Sequence, residues 1–175
     1  MGMRRAAIRR GATRRALLFF PLVALAVAGC GFHLRGEAKY TFSTIYVNAP
    51  SAPSMAAEMR RALDATGSAK VVTDAKQAQV ILDIPTISDD KEVLSLSGAG
   101  AVEEYLLVKR VSFRLHDADG RDWLPAGDIQ LRRSYTFSQS EVLARGAQEE
   151  RLLKEMQTDA VQQLIRRLQA AKKPA

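Results

Sequence analysis

The pattern of apolar and polar residues predicts β-strands in four stretches of the chain, and it alternates most clearly in the last two. The stretches are residues 40–48, 79–87, 103–116 and 129–137. The first is rich in β-branched and aromatic residues, which favour strands. Val71 and Val72 are compatible with a further, very short strand. Residues 88–100 are polar and then rich in Gly and Ser, which predicts a loop or a mobile hairpin.

The third stretch shows its two faces most clearly. One face is apolar and comprises Tyr105, Leu107, Val111, Phe113 and Leu115. The other is mainly polar, with Leu106 and Val108 among Glu104, Arg110, Ser112, Arg114 and His116. Asp117 to Gly120 is a strong turn signal, so we expect His116 to be an exposed residue at the strand end. Trp123 follows this turn and is either an anchor for a partner or a residue that packs the turn.

Two segments have helical periodicity. In residues 54–66, Ser54 is a candidate cap, Gly67 a stop signal, and the buried stripe is Met55, Met59, Ala62 and Leu63. Residues 141–171 form a longer helix, with Gly146 as a possible interruption and a stripe of Leu152, Leu153, Met156, Ala160, Leu164, Ile165 and Leu168. The pattern predicts an α+β fold with two helices packed on one face of a mostly antiparallel sheet of about four strands.

The first 29 residues read as a signal peptide, which leaves residues 30–175 as a single domain. Residues 1–15 are rich in arginine, and residues 16–28 form an apolar run of 13 residues. This run is too short to span a bilayer, which takes about 20 residues. Residues 13–18 partly resemble a twin-arginine signal, but a segment with three Arg-Arg pairs matches that motif easily by chance. Sec export is therefore the default, and Tat export stays open. Translation starts at Met1 or Met3.

The end of this segment, residues 26–30 (Ala-Val-Ala-Gly-Cys), resembles the bacterial lipoprotein box. That resemblance implies that Cys30 receives a diacylglycerol thioether and becomes the acylated first residue. Cys30 is the only cysteine of the chain. Several acyl chains anchor a protein stably, at about 0.8 kcal/mol per buried methylene. The alternative is ordinary Ala-x-Ala cleavage beside an incidental cysteine. Gly31 is compatible with transfer to the outer membrane.

Net charge and residue usage exclude several classes of protein. The chain has 26 Lys and Arg residues against 19 Asp and Glu, but six of the arginines lie in the first 29 residues. The remainder carries 20 bases and 19 acids, so a nucleic-acid partner is not expected. One cysteine permits no intrachain disulfide, and His33 and His116 belong to no zinc-binding spacing. Without a recognisable catalytic or phosphate-binding motif, we expect no enzyme activity, metal or cofactor.

Three motifs resemble the LptE family of lipopolysaccharide-assembly lipoproteins. The first follows the lipoprotein box directly: Cys30, then Gly31, Phe32, His33, Leu34 and Arg35. The second covers residues 154–160 and 163–168. The third begins at residues 133–135 and continues with residues 143–145 and with Glu149 and Glu150. The similarity in organisation extends over essentially the whole mature chain. His33 and Arg35 are expected to pin the entering chain against the sheet.

The resemblance implies a fold and a function. The fold is two helices on a four-stranded sheet, and no active site is implied. The function is to plug the β-barrel protein LptD in the outer membrane, to support its assembly, and to help lipopolysaccharide reach the outer leaflet. Arg145 approximately matches a basic family position in lipopolysaccharide contact, and Arg132 and Arg133 are further candidates. The family's other basic position falls in the loop at residues 97–101, which has no base here; Lys91 is the nearest.

Two other classes of protein stay open. One is a stand-alone periplasmic lipoprotein that binds a lipid or a peptide, and the other is a scaffold in a different envelope complex. Stable 1:1 copurification with a large β-barrel would distinguish a plug from a carrier, because a carrier would be purified alone.

Overall fold

The computed structural model describes residues 39–136 and 142–174, with side chains from residue 146 onward in the second range. The described part is α+β, as predicted. Its strands are β1 (Thr44–Asn48), β2 (Lys70–Val72), β3 (Val80–Leu96), β4 (Val102–His116) and β5 (Asp122–Thr136). Its helices are α1 (Pro53–Thr66) and α2 (Val142–Gln169), and a single 3₁₀ turn covers Ala75–Gln77.

The sheet has five strands in the order β2-β1-β3-β4-β5, and it is mixed. β1 runs parallel to both β2 and β3, whereas β3/β4 and β4/β5 are antiparallel. The expectation of about four, mostly antiparallel strands therefore needs correction. The cause is α1, which carries the chain back along the sheet, so that β2 starts at the same end as β1. The 3₁₀ turn then returns the chain to the other side of β1.

Residues 88–100, predicted as a loop or a mobile hairpin, belong to the long β3–β4 hairpin, whose strands continue to residue 96 and restart at residue 102. Register pairs continue from Ile81↔His116 to Leu96↔Val102. Polar residues line both faces of this part of β3, which hid the strand from a pattern search based on apolar alternation. Ser97 N donates to Ala101 O at 2.7 Å and closes the turn, in which Gly100 has a φ of 79°. Only glycine adopts this left-handed conformation without strain.

Pro85 marks the place where β3 loses a neighbour. β1 ends at Asn48, which pairs with Asp83, and a register shift lies between Asp83 and Thr86. Proline was expected at a strand edge or end because it has no N–H to donate. In the structure β3 continues past Pro85, but one of its edges has no strand partner in the described residues from there onward.

The helix ends differ partly from prediction. α1 starts at Pro53, and the residue at its cap position is Ala52, without a side-chain cap hydrogen bond. Ser54 is not the cap; its hydroxyl donates to Gln157 Oε1 on α2 at 3.3 Å. Gly67 ends α1 in the left-handed conformation (φ 65°), as expected. The backbone of α2 is helical through Gly146, so no break occurs there.

One hydrophobic core joins both helices to one face of the sheet, which confirms the predicted layering. Five residues of the predicted α2 stripe are buried (Met156, Ala160, Leu164, Ile165 and Leu168), as are Met55, Met59 and Leu63 of α1. Leu152, Leu153 and Ala62 are partly buried against the same core. Glu58 joins the helices, because it accepts hydrogen bonds from Gln157 Nε2 and Thr158 Oγ1, both at 2.7 Å. Neither described helix is long and apolar enough to cross a membrane.

The chain enters this domain beside its C-terminal end. Thr41 Oγ1 donates to Ala171 O at 2.9 Å, and Lys172 N donates to Trp123 O at 3.2 Å. Phe42 packs edge-on against Trp123, with ring centroids 6.3 Å apart. Trp123 is 5% exposed, so it is a core residue and does not serve as a surface anchor for a partner.

Candidate functional site

The predicted site residues fall in three parts of the chain. Cys30 and the motif residues Gly31, Phe32, His33, Leu34 and Arg35 lie outside the described residues. Arg145 belongs to the first turns of α2, and its side chain also lies outside the description. Arg132 and Arg133 are exposed residues of β5. The structure therefore places only the last two in detail.

Arg132 and Arg133 occupy opposite faces of the sheet. Arg133 pairs in register with Leu107, on the helix-covered face, and its Nη2 donates to Asp159 Oδ2 of α2 at 2.7 Å. Arg132 pairs with Val108, on the face that the helices leave uncovered. Among the described residues, no carboxylate forms an ion pair with Arg132. Arg132 is therefore the more available of the two for an external anion.

A shallow depression beside α2, which we call the basic depression, holds more positive charge. It is lined by Arg133, Arg151, Lys154, Glu155, Thr158 and Asp159. Arg151 Nε donates to Glu155 Oε1 at 2.8 Å, and this contact raises the pKa of the Arg151 guanidinium. Lys154 has no carboxylate partner among the described side chains. With three bases and two acids, the depression has a net positive charge of one. An anion bound there could also accept hydrogen bonds from Arg133 and Arg151, which already donate to Asp159 and Glu155.

The uncovered face of the sheet is polar, and most of its charges are paired. Arg114 Nε donates to Asp122 Oδ1 at 2.6 Å, Ser112 Oγ donates to Asp128 Oδ1 at 2.6 Å, and Arg110 pairs with Asp90. These contacts join β4 to β5 on one side and to β3 on the other. Cross-strand pairs of opposite charge stabilise a sheet by roughly 0.2–1 kcal/mol each.

His116 belongs to this network and is largely buried, so its expected exposure at the strand end was wrong. Its Nε2 lies 2.8 Å from Asp83 Oδ2, and its Nδ1 lies 2.7 Å from Asp117 O. The other oxygen of Asp83 accepts from Asn48 Nδ2 at 2.7 Å. Asp83 therefore connects three strands, because it bonds to side chains of β1 and β4 from its place on β3. The role is structural.

A cavity of about 720 Å³ opens next to this network. Its polar lining includes Asp83, Ser112, Arg114 and Asp128, and each of these side chains already has a hydrogen-bond partner within the protein. Ile84, Pro85 and Phe113 supply apolar lining. A lipid carrier buries most of its ligand, whereas this depression is open to solvent.

Lys91, Tyr105, Tyr135 and Glu149 form a cluster that joins the far end of the sheet to α2. Glu149 Oε2 accepts from Lys91 Nζ and from Tyr135 Oη, both at 2.7 Å. The two tyrosine rings stack at 5.7 Å, and Lys91 Nζ lies 4.9 Å from the centre of the Tyr105 ring. Lys91, the base nearest to residues 97–101, is thus held by Glu149 and the Tyr105 ring.

Sequence reasoning missed one surface, the far end of the β3–β4 hairpin. Val93, Leu94 and Leu96 expose about half of their surface there, at 53%, 50% and 58%. The signal was present, since three apolar residues occur within four positions just before a Gly-rich turn. Assigning the segment to a loop concealed it. No group of metal-binding side chains occurs among the described residues.

Comparison with known proteins identifies the family. The family model described as "LptE: Lipopolysaccharide-assembly" matches residues 42–168, which include all five strands and nearly all of α2. The chain belongs to the LptE family. The resemblance inferred from the three motifs is thereby confirmed.

Curated relatives carry the same family name. The chain is 26% identical over 154 residues to "LPS-assembly lipoprotein LptE" of Pectobacterium atrosepticum, an alignment that covers 86% of this chain and 83% of that protein. It is 29% identical over 163 residues to the protein of that name from Yersinia pestis, with 86% and 73% covered. Both alignments extend beyond any single motif.

Solved structures of similar shape support the fold. The solution structure of an uncharacterized lipoprotein B from Nitrosomonas europaea matches with a TM-score of 0.70 and 38% sequence identity. The alignment covers 80% of this chain and 91% of that chain. The crystal structure of rare lipoprotein B from Shewanella oneidensis has a TM-score of 0.62 at 23% identity, with 73% and 95% covered. The second likeness shows the fold alone.

Proposed function

We propose that this protein is an outer-membrane lipoprotein, acylated at Cys30, that plugs the LptD β-barrel, supports its assembly and helps deliver lipopolysaccharide to the outer leaflet. The observation that carries the proposal is the LptE family match over residues 42–168, since it covers the folded domain from β1 to α2. Curated relatives named for lipopolysaccharide assembly support the same role. The proposed activity is binding and positioning, with no catalysis and no cofactor.

The proposed anchor limits where the domain can act. Nine residue steps separate Cys30 from Lys39, where the described chain starts, and an extended chain of that length reaches at most about 30 Å. An acylated Cys30 would therefore keep the domain at the membrane surface. This suits a protein that works at the mouth or in the lumen of a membrane barrel.

The uncovered sheet face suits the inside of a wide barrel. Such barrels have a polar, hydrated interior, so a plug must present polar side chains to it. The ion pairs of Arg110 with Asp90 and of Arg114 with Asp122, together with the hydrogen bond from Ser112 to Asp128, give that face a polar surface. A face of this kind tolerates both water and protein contacts.

Lipopolysaccharide would be recognised through the phosphates of its lipid A part. Guanidinium groups bind phosphate by charge-assisted, often bidentate hydrogen bonds. Arg132 is free to do so on the uncovered face, and Arg133 would exchange Asp159 for phosphate in the basic depression. Arg145 stays a candidate from the family resemblance. We place these contacts on separate surfaces of the domain, because the sheet lies between Arg132 and Arg133.

Two experiments test the anchor and the partner. Cys30→Ser should abolish palmitate labelling of the chain, and unchanged labelling would exclude Cys30 as the acylated residue. The full-length lipoprotein should copurify with LptD as a stable 1:1 complex after detergent extraction. Purification of the chain alone would favour a stand-alone carrier.

A third experiment tests lipopolysaccharide binding. Arg145→Glu in the full-length chain should weaken binding to immobilised lipopolysaccharide, since a carboxylate repels the lipid A phosphates. Arg61→Glu, the same charge reversal at an exposed arginine of α1, is the matched control. Equal binding by wild type and Arg145→Glu would remove Arg145 from the site.

A further inference from the structure

The far end of the β3–β4 hairpin concentrates exposed apolar surface. Within the described part of the chain, all large apolar side chains that are strongly exposed lie here: Val93, Leu94 and Leu96. We call residues 92–104 the hairpin tip. A register shift isolates Leu94 between the pairs Val93↔Tyr105 and Ser95↔Glu104, so this leucine is unpaired in the ladder. Contiguous exposed apolar residues on a soluble domain mark an interaction surface.

The charge around these residues is negative. The hairpin tip contains Glu92, Glu103 and Glu104 and no Lys or Arg. Glu92 and Glu103 are exposed, and Glu104 accepts a hydrogen bond from Ser95 Oγ at 3.3 Å. The adjacent Lys91 is held by Glu149 at 2.7 Å. The tip therefore presents an apolar centre bordered by carboxylates, which disfavours a phosphate-rich ligand.

The hairpin also leaves main-chain groups open to a protein partner. From Thr86 to Leu96, β3 pairs with β4 on one side only, as judged from the residues that the structure describes. An unpaired strand edge offers N–H and C=O groups to an extended protein segment. The tip lies at the end of the sheet opposite the entry of the chain, where Thr41 bonds to Ala171. It is thus remote from Thr41, near the start of the described chain.

We propose that the hairpin tip docks on a protein surface of the barrel partner in which apolar side chains are bordered by Lys and Arg. The proposal rests on the proposed function, because LptD is the partner named there. The leucines supply apolar contact area, and Glu92 and Glu103 select for a basic rim. The hairpin tip of this chain is a protein-docking element, and the lipid A phosphates are bound elsewhere.

Charge reversal tests this assignment in the intact complex. Full-length lipoprotein carrying Glu92→Lys and Glu103→Lys should bind detergent-solubilised LptD about tenfold more weakly or worse, since like charges would then face each other. The variant with Asp64→Lys and Glu150→Lys, two exposed acids on the helices, is the control and should bind within about twofold of wild type. Lipopolysaccharide binding should be unchanged or tighter in the tip variant.

A second variant addresses the apolar contact. Leu94→Ser with Leu96→Ser changes exposed residues only, so the domain should unfold at the wild-type temperature while its affinity for LptD falls. A photocrosslinking amino acid at position 94 should capture LptD in cells. Capture of lipopolysaccharide, or wild-type affinity of both tip variants for LptD, would overturn the proposal. Failure of the wild-type protein to bind LptD would contradict the proposed function itself, and that measurement needs no tip variant. The two proposals can therefore fail separately.

Discussion

Arg132 and Arg133 are neighbours in the sequence, but their side chains lie on opposite faces of the sheet, and among the described residues only Arg133 forms an ion pair, with Asp159. Side chains alternate between faces along a strand, so two consecutive arginines cannot grip one phosphate together. Arg132 faces the polar, uncovered side, and Arg133 faces α2. The arginine pair therefore divides between two surfaces with different surroundings.

Replacing each arginine by alanine should have different effects. Arg132→Ala should weaken lipopolysaccharide binding by at least roughly tenfold, because a hydrogen bond to a charged group contributes about 1.5–3 kcal/mol, while the thermal midpoint stays unchanged. Arg133→Ala should lower the free energy of unfolding by up to about 1 kcal/mol, the value typical of an exposed ion pair. Lipopolysaccharide displacement assays and urea unfolding measure the two effects. A stable Arg132→Ala protein with wild-type binding would exclude Arg132.

The hydrogen bond between Tyr135 and Glu149 ties β5 to α2. Tyr135→Phe should lower the free energy of unfolding by about 1.5–3 kcal/mol, because the phenol donates to a carboxylate at 2.7 Å and Tyr135 is 5% exposed. Tyr46→Phe in β1, a half-buried tyrosine, is a matched control that should cost less. Urea denaturation of both variants makes the comparison, and equal losses would argue against a special role for Tyr135.

Gly127 in β5 leaves little room for a side chain. A Cβ there would lie 3.2 Å from Phe113 Cζ and 3.5 Å from Arg167 Nη1, so Gly127→Ala should displace the Phe113 ring and cost about 1–3 kcal/mol. Gly98→Ala, where nothing lies within 4 Å of the added Cβ, should be close to neutral. Thermal unfolding compares the two, and a neutral Gly127→Ala would show that the ring moves freely.

Asp117 should make unfolding depend on pH. Burial opposes its ionisation, but hydrogen bonds from the Arg121 backbone and guanidinium and from Asp119 N–H outweigh that effect and lower the pKa of Asp117. A lowered native pKa stabilises the fold above the unfolded pKa of about 4, and the contribution is lost as pH falls through the native value. Asp117→Asn should therefore be less stable than wild type at pH 7.

The same measurement at low pH provides the check. The difference between wild type and Asp117→Asn in urea unfolding should shrink steadily below about pH 4, as the carboxyl becomes neutral in the native protein. A difference that stays constant from pH 7 to pH 2 would show that the carboxylate charge contributes nothing to stability.

The sequence predicted those elements in which apolar residues repeat with one period. The stripe of α2 and the Leu107–Leu115 side of β4 were recognised because burial on one face imposes that period. β3 beyond Pro85 escaped prediction because both of its faces carry polar residues, and β-pairing with β4 holds it as a strand. His116 was misjudged for a related reason, since its partner Asp83 is 33 residues away in the sequence.

By itself, the sequence determined the α+β class, the two helices and the LptE family resemblance, because local periodicity and short motifs depend on neighbours along the chain. The tertiary structure alone decided the parallel pairing of β1 with β2 and β3, the ion pair between Arg133 and Asp159, and the exposure of the hairpin tip. These features depend on which strand lies beside which and on which face the helices cover. Such choices are made by contacts between distant segments, which composition and spacing do not encode.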